Sequence, residues 1–154
     1  MAVQIAGLVC LRAGNVNTVS GALDNDDGLI QSGGTLTIDT GEHALRNAQA
    51  GARGGISAQA RLELTTADLI NTAGRISGQG EVVLNARSVE NRQGSITALG
   101  DLRVGARQDI DNTGGTLAAG GRTAIMARAL DNAQGTIAAQ HGSLVAEATD
   151  GVLD

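Results

Sequence analysis

Three acidic residues recur at a nearly constant interval and could bind a divalent cation if the fold brings them together. Glu90, Asp111 and Asp131 are 21 and 20 residues apart, and each stands directly before an asparagine. Stacked carboxylates supply the oxygen ligands that Ca²⁺ prefers. The competing interpretation is that the side chains splay apart in solvent, where screened charges interact weakly. A weak cation site and a solvated acidic face are therefore the two hypotheses for this carboxylate column.

Other residues that could support catalysis are scarce. His43 and His141 lie in turns far apart along the chain, without the paired nucleophile of a hydrolase. Polysaccharide lyases and hydrolases need clustered carboxylates in a groove, often with a basic residue. Cys10 is the only cysteine, so no internal disulfide can form, and an inert thiol competes with a disulfide-linked dimer. The sequence predicts no catalytic residue, no cofactor and no enzymatic activity.

A repeat of about 20 residues must position these side chains. Its first motif is an aliphatic residue two positions before an asparagine, and it occurs six times. The asparagines are Asn25, Asn47, Asn71, Asn91, Asn112 and Asn132. Six asparagines at equivalent positions predict an amide ladder, in which each side chain bonds to the next turn of the chain or caps its own turn. Asparagine also tolerates the left-handed backbone of tight turns.

Two further motifs complete each repeat. The second is a glycine followed by an aliphatic residue and then a small one, as in Gly74, Ile76 and Gly78. The third follows another turn and is a triplet of alternating apolar residues, as in Val82, Leu84 and Ala86. Alternation over three to five residues is typical of short strands, and no segment has helical periodicity. The repeat predicts an all-β fold, a parallel β-solenoid whose rungs of about 20 residues lie about 4.8 Å apart.

The composition fits a narrow interior. The chain has no aromatic residue and no proline, but 23 glycines. Aliphatic residues and alanine must then fill the core, and every strand residue can donate its N–H to a neighbour. Glycines are expected where turns need a positive φ or where rungs approach closely. The extra residues at 48–51 are expected to bulge from a turn as an insertion.

Charged residues are expected to point outward in columns along the solenoid. One such column follows the second turn, and adjacent members predict the ion pairs Arg61–Glu81 and Asp101–Arg122. The net charge is −5 and the eleven basic residues are scattered arginines, which argues against nucleic-acid binding and against a polybasic membrane patch. The N-terminal apolar run is too short to span a membrane.

A leucine-rich repeat has a similar period and is the rival architecture. Its signature places asparagine within one continuous leucine pattern and requires a helix or a long convex segment. In this chain each asparagine follows a new aliphatic residue and leads directly to glycine. The β-solenoid is therefore favoured.

The repeated pattern LDNxxGxIxAxGxLxLxA resembles the filamentous haemagglutinin repeat of two-partner-secretion exoproteins, which include adhesins and contact-dependent inhibition proteins. The clearest matches are 23–40, 69–86, 89–106, 110–127 and 130–148. The resemblance implies a right-handed parallel β-helix. It also implies secretion through an outer-membrane transporter to the extracellular space or bacterial cell surface.

On this basis the chain is expected to comprise a partial N-terminal rung at 1–22, six haemagglutinin-type repeats at 23–151, and the start of a further repeat at 152–154. The expected function is a structural shaft that carries binding or effector modules and stacks on flanking repeats. The alternative is a module that itself binds a host glycan or receptor, although it lacks the aromatic residues common in sugar binding. A polysaccharide lyase ranks below both.

Overall fold

Short alternating segments of this chain form strands that stack in parallel, one turn of the chain above the next. The computed structural model describes residues 3–4, 8–11 and 21–153, and side chains are described for residues 21–150. The strands are β1 (Val3–Gln4), β2 (Leu8–Leu11), β3 (Leu23–Asp24), β4 (Leu29–Ser32), β5 (Leu36–Asp39), β6 (Leu45–Arg46), β7 (Gly55–Ala58), β8 (Leu62–Ile70), β9 (Arg75–Gly78), β10 (Val82–Glu90), β11 (Ser95–Ala98), β12 (Leu102–Ala106), β13 (Ile110–Asp111), β14 (Thr116–Ala119), β15 (Thr123–Asp131), β16 (Thr136–Ala139) and β17 (Leu144–Leu153).

The strands form two parallel sheets that close around a narrow interior. One sheet has seven strands; it contains β2 and the six strands that follow the turns at the repeated asparagines, from β4 to β16. The other has ten strands and carries the apolar triplets together with the aliphatic residues that precede the asparagines. About six turns stack about 21 residues apart, and none of the described residues is helical. The predicted all-β solenoid is confirmed, and the leucine-rich repeat is not the fold.

Inward side chains form continuous rows because equivalent residues of successive rungs pair in register. Ile76, Ile96 and Leu117 are consecutive partners in the seven-stranded sheet, and each is fully buried. In the other sheet, Leu62 pairs with Val82 and Val82 with Leu102, again without exposed surface. The predicted interior rows are confirmed.

Thr123 occupies an interior row of the ten-stranded sheet although it is polar. Thr123 takes the place of the aliphatic residue in the triplet row and is fully buried. Its hydroxyl donates a hydrogen bond of 2.6 Å to the carbonyl oxygen of Ala138 across the interior. A buried hydroxyl is costly only when it lacks a partner, so this substitution of a core position is tolerated.

The insertion lies two residues later than the sequence predicts. Gln49 has the left-handed backbone found two residues after every ladder asparagine, and Ala48 is buried in the regular turn. The extra residues are 50–53, because Gly55 is already in register with Leu29. The exposed turn is Gly51–Arg53. The prediction of a bulge over 48–51 was therefore wrong in its boundaries, since the repeat motif continues through residue 49.

The end segments are described only in part. Within 1–22, β1 pairs with β3 and β2 pairs with β4, which aligns Val9 with Ile30. The side chain of Cys10 and the rest of the predicted partial rung, including Gly7 and Ala13, lie outside the described residues. At the other end, Leu153 pairs with Leu130, the aliphatic residue of the preceding asparagine motif. No helix long and apolar enough to span a membrane occurs in the described residues.

Candidate functional site

The asparagines at the start of each turn form a single hydrogen-bonded ladder. The Nδ2 atom of each donates to the Oδ1 atom of its neighbour one rung further along the chain. The five contacts, from Asn25 through Asn47, Asn71, Asn91 and Asn112 to Asn132, are 2.6–2.7 Å long. The first five side chains are fully buried. An amide has both a donor and an acceptor, so each amide inside the column satisfies its neighbours in a fully buried site, and only the Oδ1 atom of Asn25, at the first described end, has no partner among the described residues.

The residue two positions after each asparagine has a left-handed backbone. Its φ lies between 51° and 61° in all six turns, and only one of the six is a glycine; the residues are Asp27, Gln49, Ala73, Gln93, Gly114 and Gln134. None of the ladder asparagines has a positive φ. Asparagine tolerates the left-handed backbone, but the ladder asparagines do not adopt it.

The motif glycine, which recurs in each repeat of this chain, has a different role. A Cβ at Gly94 would lie 2.9 Å from the Nδ2 atom of Asn71 and would clash with the carbonyl oxygen of the same residue. Gly115 faces Asn91 in the same way. Glycine was expected either where a turn needs a positive φ or where rungs approach closely. At these motif glycines the close approach between rungs is the reason.

Relieving the strain at one left-handed position should stabilise the rod. Ala73 has φ 51° and its side chain is exposed. A left-handed L-residue costs about 1–2 kcal/mol, which exceeds the 0.4–1 kcal/mol by which glycine favours the unfolded chain. Ala73→Gly should therefore raise the free energy of unfolding by about 0.5–1 kcal/mol in urea titration. The reverse change in the same column, Gly114→Ala, should lower it by a similar amount; the same sign for both would contradict the strain argument.

The carboxylate column is assembled by the fold, but its members face different partners. Glu90, Asp111 and Asp131 pair in register on consecutive rungs. Glu90 accepts a 2.9 Å hydrogen bond from the Thr72 hydroxyl, and Arg92 lies 2.5 Å from Asp111 and 4.0 Å from Glu90. Asp131 accepts a hydrogen bond from the backbone N–H of its own turn. No group of three acidic, His or Cys side chains in residues 21–150 is placed to hold a metal ion.

Calcium should bind weakly or not at all, because the Arg92 guanidinium supplies a positive charge inside the column. Isothermal titration with CaCl₂ is expected to give no binding heat, and the melting temperature should not shift. A saturable heat at one ion per chain, lost in Glu90→Gln but kept in Glu63→Gln, would instead establish the cation site.

Outward charges pair mainly between rungs. Arg61 lies 3.6 Å from Glu81, which confirms that predicted pair, and Arg103 contacts the same glutamate. Asp101 does not pair with the Arg122 guanidinium; its carboxylate accepts a 2.8 Å hydrogen bond from the backbone N–H of Arg122. That part of the prediction was wrong because the close approach of rungs at the second turn offers a nearer donor. Exposed ion pairs contribute only about 0–1 kcal/mol each.

Hydrogen bonds and ion pairs lower the pKa values of two outward carboxylates, Asp68 and Asp111. The Ser88 hydroxyl, 2.6 Å away, and the neighbouring Arg87 guanidinium hold the pKa of Asp68 below its usual value. At Asp111, burial acts to raise the pKa, but hydrogen bonds from Thr113 and Arg92 outweigh it and the pKa is lowered. Both arrangements favour the charged form.

Acid should therefore weaken the rod. A carboxylate with a depressed folded-state pKa stabilises the fold above its unfolded pKa of about 4, and this contribution is lost as the pH falls through the folded value. The melting temperature should decrease when the pH is lowered below about 4. Because Ser88 is the largest cause, Ser88→Ala should raise the pKa of Asp68 in a carboxyl NMR titration. Ser77→Ala, on the other sheet, should leave it unchanged; equal pKa values in all three proteins would refute the assignment.

The sequence motifs did not reveal a groove on the outer face of the ten-stranded sheet. It has a volume of about 880 Å³ and crosses β8, β10 and β12, with Asp39 and Glu42 at one end and Arg107 and Met126 at the other. The sequence signal for this groove is the unequal number of residues between the triplet and the following asparagine motif in different repeats. His43 and His141, in contrast, lie in separate turns and are both exposed.

Comparison with known families gives one match. The profile of the haemagglutinin repeat matches residues 5–43, 31–106 and 100–151, and so covers most of the chain. Searches of curated proteins and of solved structures returned no match.

Proposed function

This chain belongs to the haemagglutinin-repeat family, and from that premise we propose that it is a structural shaft segment of a secreted, cell-surface adhesin-type exoprotein. The rod would hold binding or effector modules away from the cell and would continue into flanking repeats of the same chain. Its role is mechanical and not enzymatic. The observation that carries the proposal is the uninterrupted stacking of rungs from β3 to β17.

The stacking explains how such a segment resists bending. Backbone hydrogen bonds of both sheets run parallel to the long axis, and so does the asparagine ladder. Each rung contacts mainly its neighbours, so stability is approximately a sum of repeat terms and interface terms. Length then increases with repeat number while the cross-section stays the same.

The outer surface supports the same assignment. Arginines at positions 46, 87 and 128 each pair with an aspartate on the adjacent rung. These charges are thus distributed along the rod as pairs between neighbouring rungs. By family likeness, the transporter partner is an outer-membrane two-partner-secretion protein, and the parent is an adhesin or a contact-dependent inhibition protein of a bacterial surface.

A duplication tests the mechanical role. Repeating residues 69–109 in tandem adds two rungs, which should extend the maximum dimension in small-angle X-ray scattering by about 10 Å at the usual strand spacing. The cross-sectional radius should stay constant. Growth in cross-section without growth in length would refute the shaft.

The alternative is a module that itself binds a host glycan or receptor. The outer groove supports this second candidate function. A glycan array distinguishes the two: reproducible micromolar binding would support the module, and no binding would support the shaft. Turnover of an acidic polysaccharide would instead support a lyase.

A further inference from the structure

The outer groove exists because successive rungs differ in length at one corner. Leu45 lies nine positions after Leu36, whereas Leu69 lies seven positions after Leu62. The two rungs are nevertheless in register on both sides of this corner. The two additional residues must therefore leave the sheet, and they do so in the exposed turn Gly41–His43. This turn forms one wall of the groove.

The opposite wall has the same origin. Ile110 lies eight positions after Leu102, and Val89 lies seven positions after Val82. Both ends of this segment are in register with the preceding rung. The additional residue bulges outward at 107–109, where all three side chains are exposed. Between the two walls, β8 and β10 continue without interruption and form a floor of short side chains together with Arg87. A shaft has no need of this variation in corner length.

The two walls carry opposite charges. Asp39 and Glu42 line the first, and Arg107 lines the second. Arg107 has no ion-pair partner among residues 21–150, unlike Arg87 beside it, which pairs with Asp68. Three strand spacings separate Asp39 from the wall at β12, a distance of about 14 Å. An extended peptide covers this distance in about four residues.

A glycine keeps the groove open toward an exposed apolar side chain. Gly105 occupies an outward strand position between Asn85 and Met126 in the register. A Cβ there would meet nothing closer than 3.5 Å, so the backbone does not require glycine. Glycine within a strand often marks a place where another chain approaches closely. Met126 beyond it is 59% exposed, although most outward residues are polar.

We propose that this groove binds an extended peptide segment with a basic side chain at one end, an acidic side chain about four residues away, and an apolar side chain that enters the notch at Gly105 against Met126. The proposal concerns a binding site on the rod and does not depend on the shaft function. The charges of the walls set the orientation of the peptide. A peptide fits better than a glycan because the groove offers opposite charges and a thioether but no aromatic stacking surface.

Charge-swapped peptides test the site directly. Three fluorescent hexapeptides with a central leucine carry Asp and Lys, two Asp, or two Lys, four residues apart. Anisotropy titration of the whole chain at low salt should show the mixed peptide binding at least fivefold more tightly than either other. Arg107→Glu should shift the preference to the two-Lys peptide. The pair Asp39→Asn with Glu42→Arg should shift it to the two-Asp peptide.

The controls separate binding from folding. Arg122→Glu makes the same charge change outside the groove and should keep the wild-type preference. Gly105→Asn copies the neighbouring Asn85 and should weaken the mixed peptide at least fivefold without lowering the melting temperature. Equal binding of the three peptides, no binding of any, or preferences unaffected by the swaps would overturn the proposal. So would tight binding of a sulfated hexasaccharide that displaces the peptide, since this would assign the groove to glycans.

Discussion

Ile96→Asp should prevent the chain from forming a stable solenoid at neutral pH. Ile96 is fully buried, and it is stacked between Ile76 and Leu117 in the seven-stranded sheet. None of its neighbours in that row can pair with a carboxylate. An unpaired charge in such a site costs about 4–5 kcal/mol or more, which is comparable with the whole stability of many domains.

The measurement is the β-sheet circular dichroism signal during urea unfolding, with expression in soluble form as a first indication. Because each rung contacts only its neighbours, damage in the central rung should weaken the rungs on both sides. Ile96→Val keeps the row apolar and should cost only about 0.5–1.5 kcal/mol. Arg103→Ala, at an exposed position, should change stability by no more than about 0.5 kcal/mol. If Ile96→Asp and Arg103→Ala are equally mild, the assignment of inward and outward faces is wrong.

The interior of this fold could be predicted from sequence because one period determines it. Once the asparagine motifs are aligned, every aliphatic residue of the triplet and of the glycine motif has an equivalent residue one rung away. Parallel in-register pairing then follows, as seen for Leu64 with Leu84 and Ile76 with Ile96. A shift by one residue would turn each apolar row to solvent, so the register is strongly specified.

The turns were harder to predict because side-chain chemistry there competes with backbone conformation. Composition favoured glycine or asparagine for a positive φ, yet Ala73 and Gln93 have it, since the packed rungs on both sides impose the turn. For the same reason, the Asp101 carboxylate accepts a hydrogen bond from the backbone N–H of Arg122 and does not pair with the Arg122 guanidinium. Neither outcome follows from residue type alone.

The groove was not predicted because it depends on differences between repeats. When the motifs are aligned, a longer corner is only a difference in spacing between them. Because the strands on both sides of each corner stay in register, the additional residues at 41–43 and 107–109 must project outward, where they form the walls of the groove. Its charge pattern is visible only when residues from four rungs are placed side by side. Deviations from a repeat are accordingly where a functional site in a solenoid should be sought.

Asn91→Asp should produce a rod whose stability rises when the pH is lowered, opposite to the trend expected for the wild type. Asn91 is fully buried, accepts a 2.7 Å hydrogen bond from Asn71 and donates one of 2.6 Å to the Oδ1 atom of Asn112. A carboxylate can accept the first bond but cannot donate the second. It would instead place a negative charge against the oxygen of Asn112, in a fully buried site.

The charged form is disfavoured on folding, so the pKa of the introduced aspartate should be raised in the folded state. Stability is then recovered below the unfolded pKa of about 4, where the protonated acid can donate to Asn112, and is lost as the pH rises through the folded pKa. At pH 7 we expect a loss of about 3–5 kcal/mol in urea unfolding, the cost of an uncompensated buried charge. Asn85→Asp makes the same change at an exposed position of the preceding rung and should be nearly neutral at either pH. A deficit for Asn91→Asp that stays the same from pH 7 to pH 4 would show that the ladder amide only fills space, because a purely steric role does not respond to protonation.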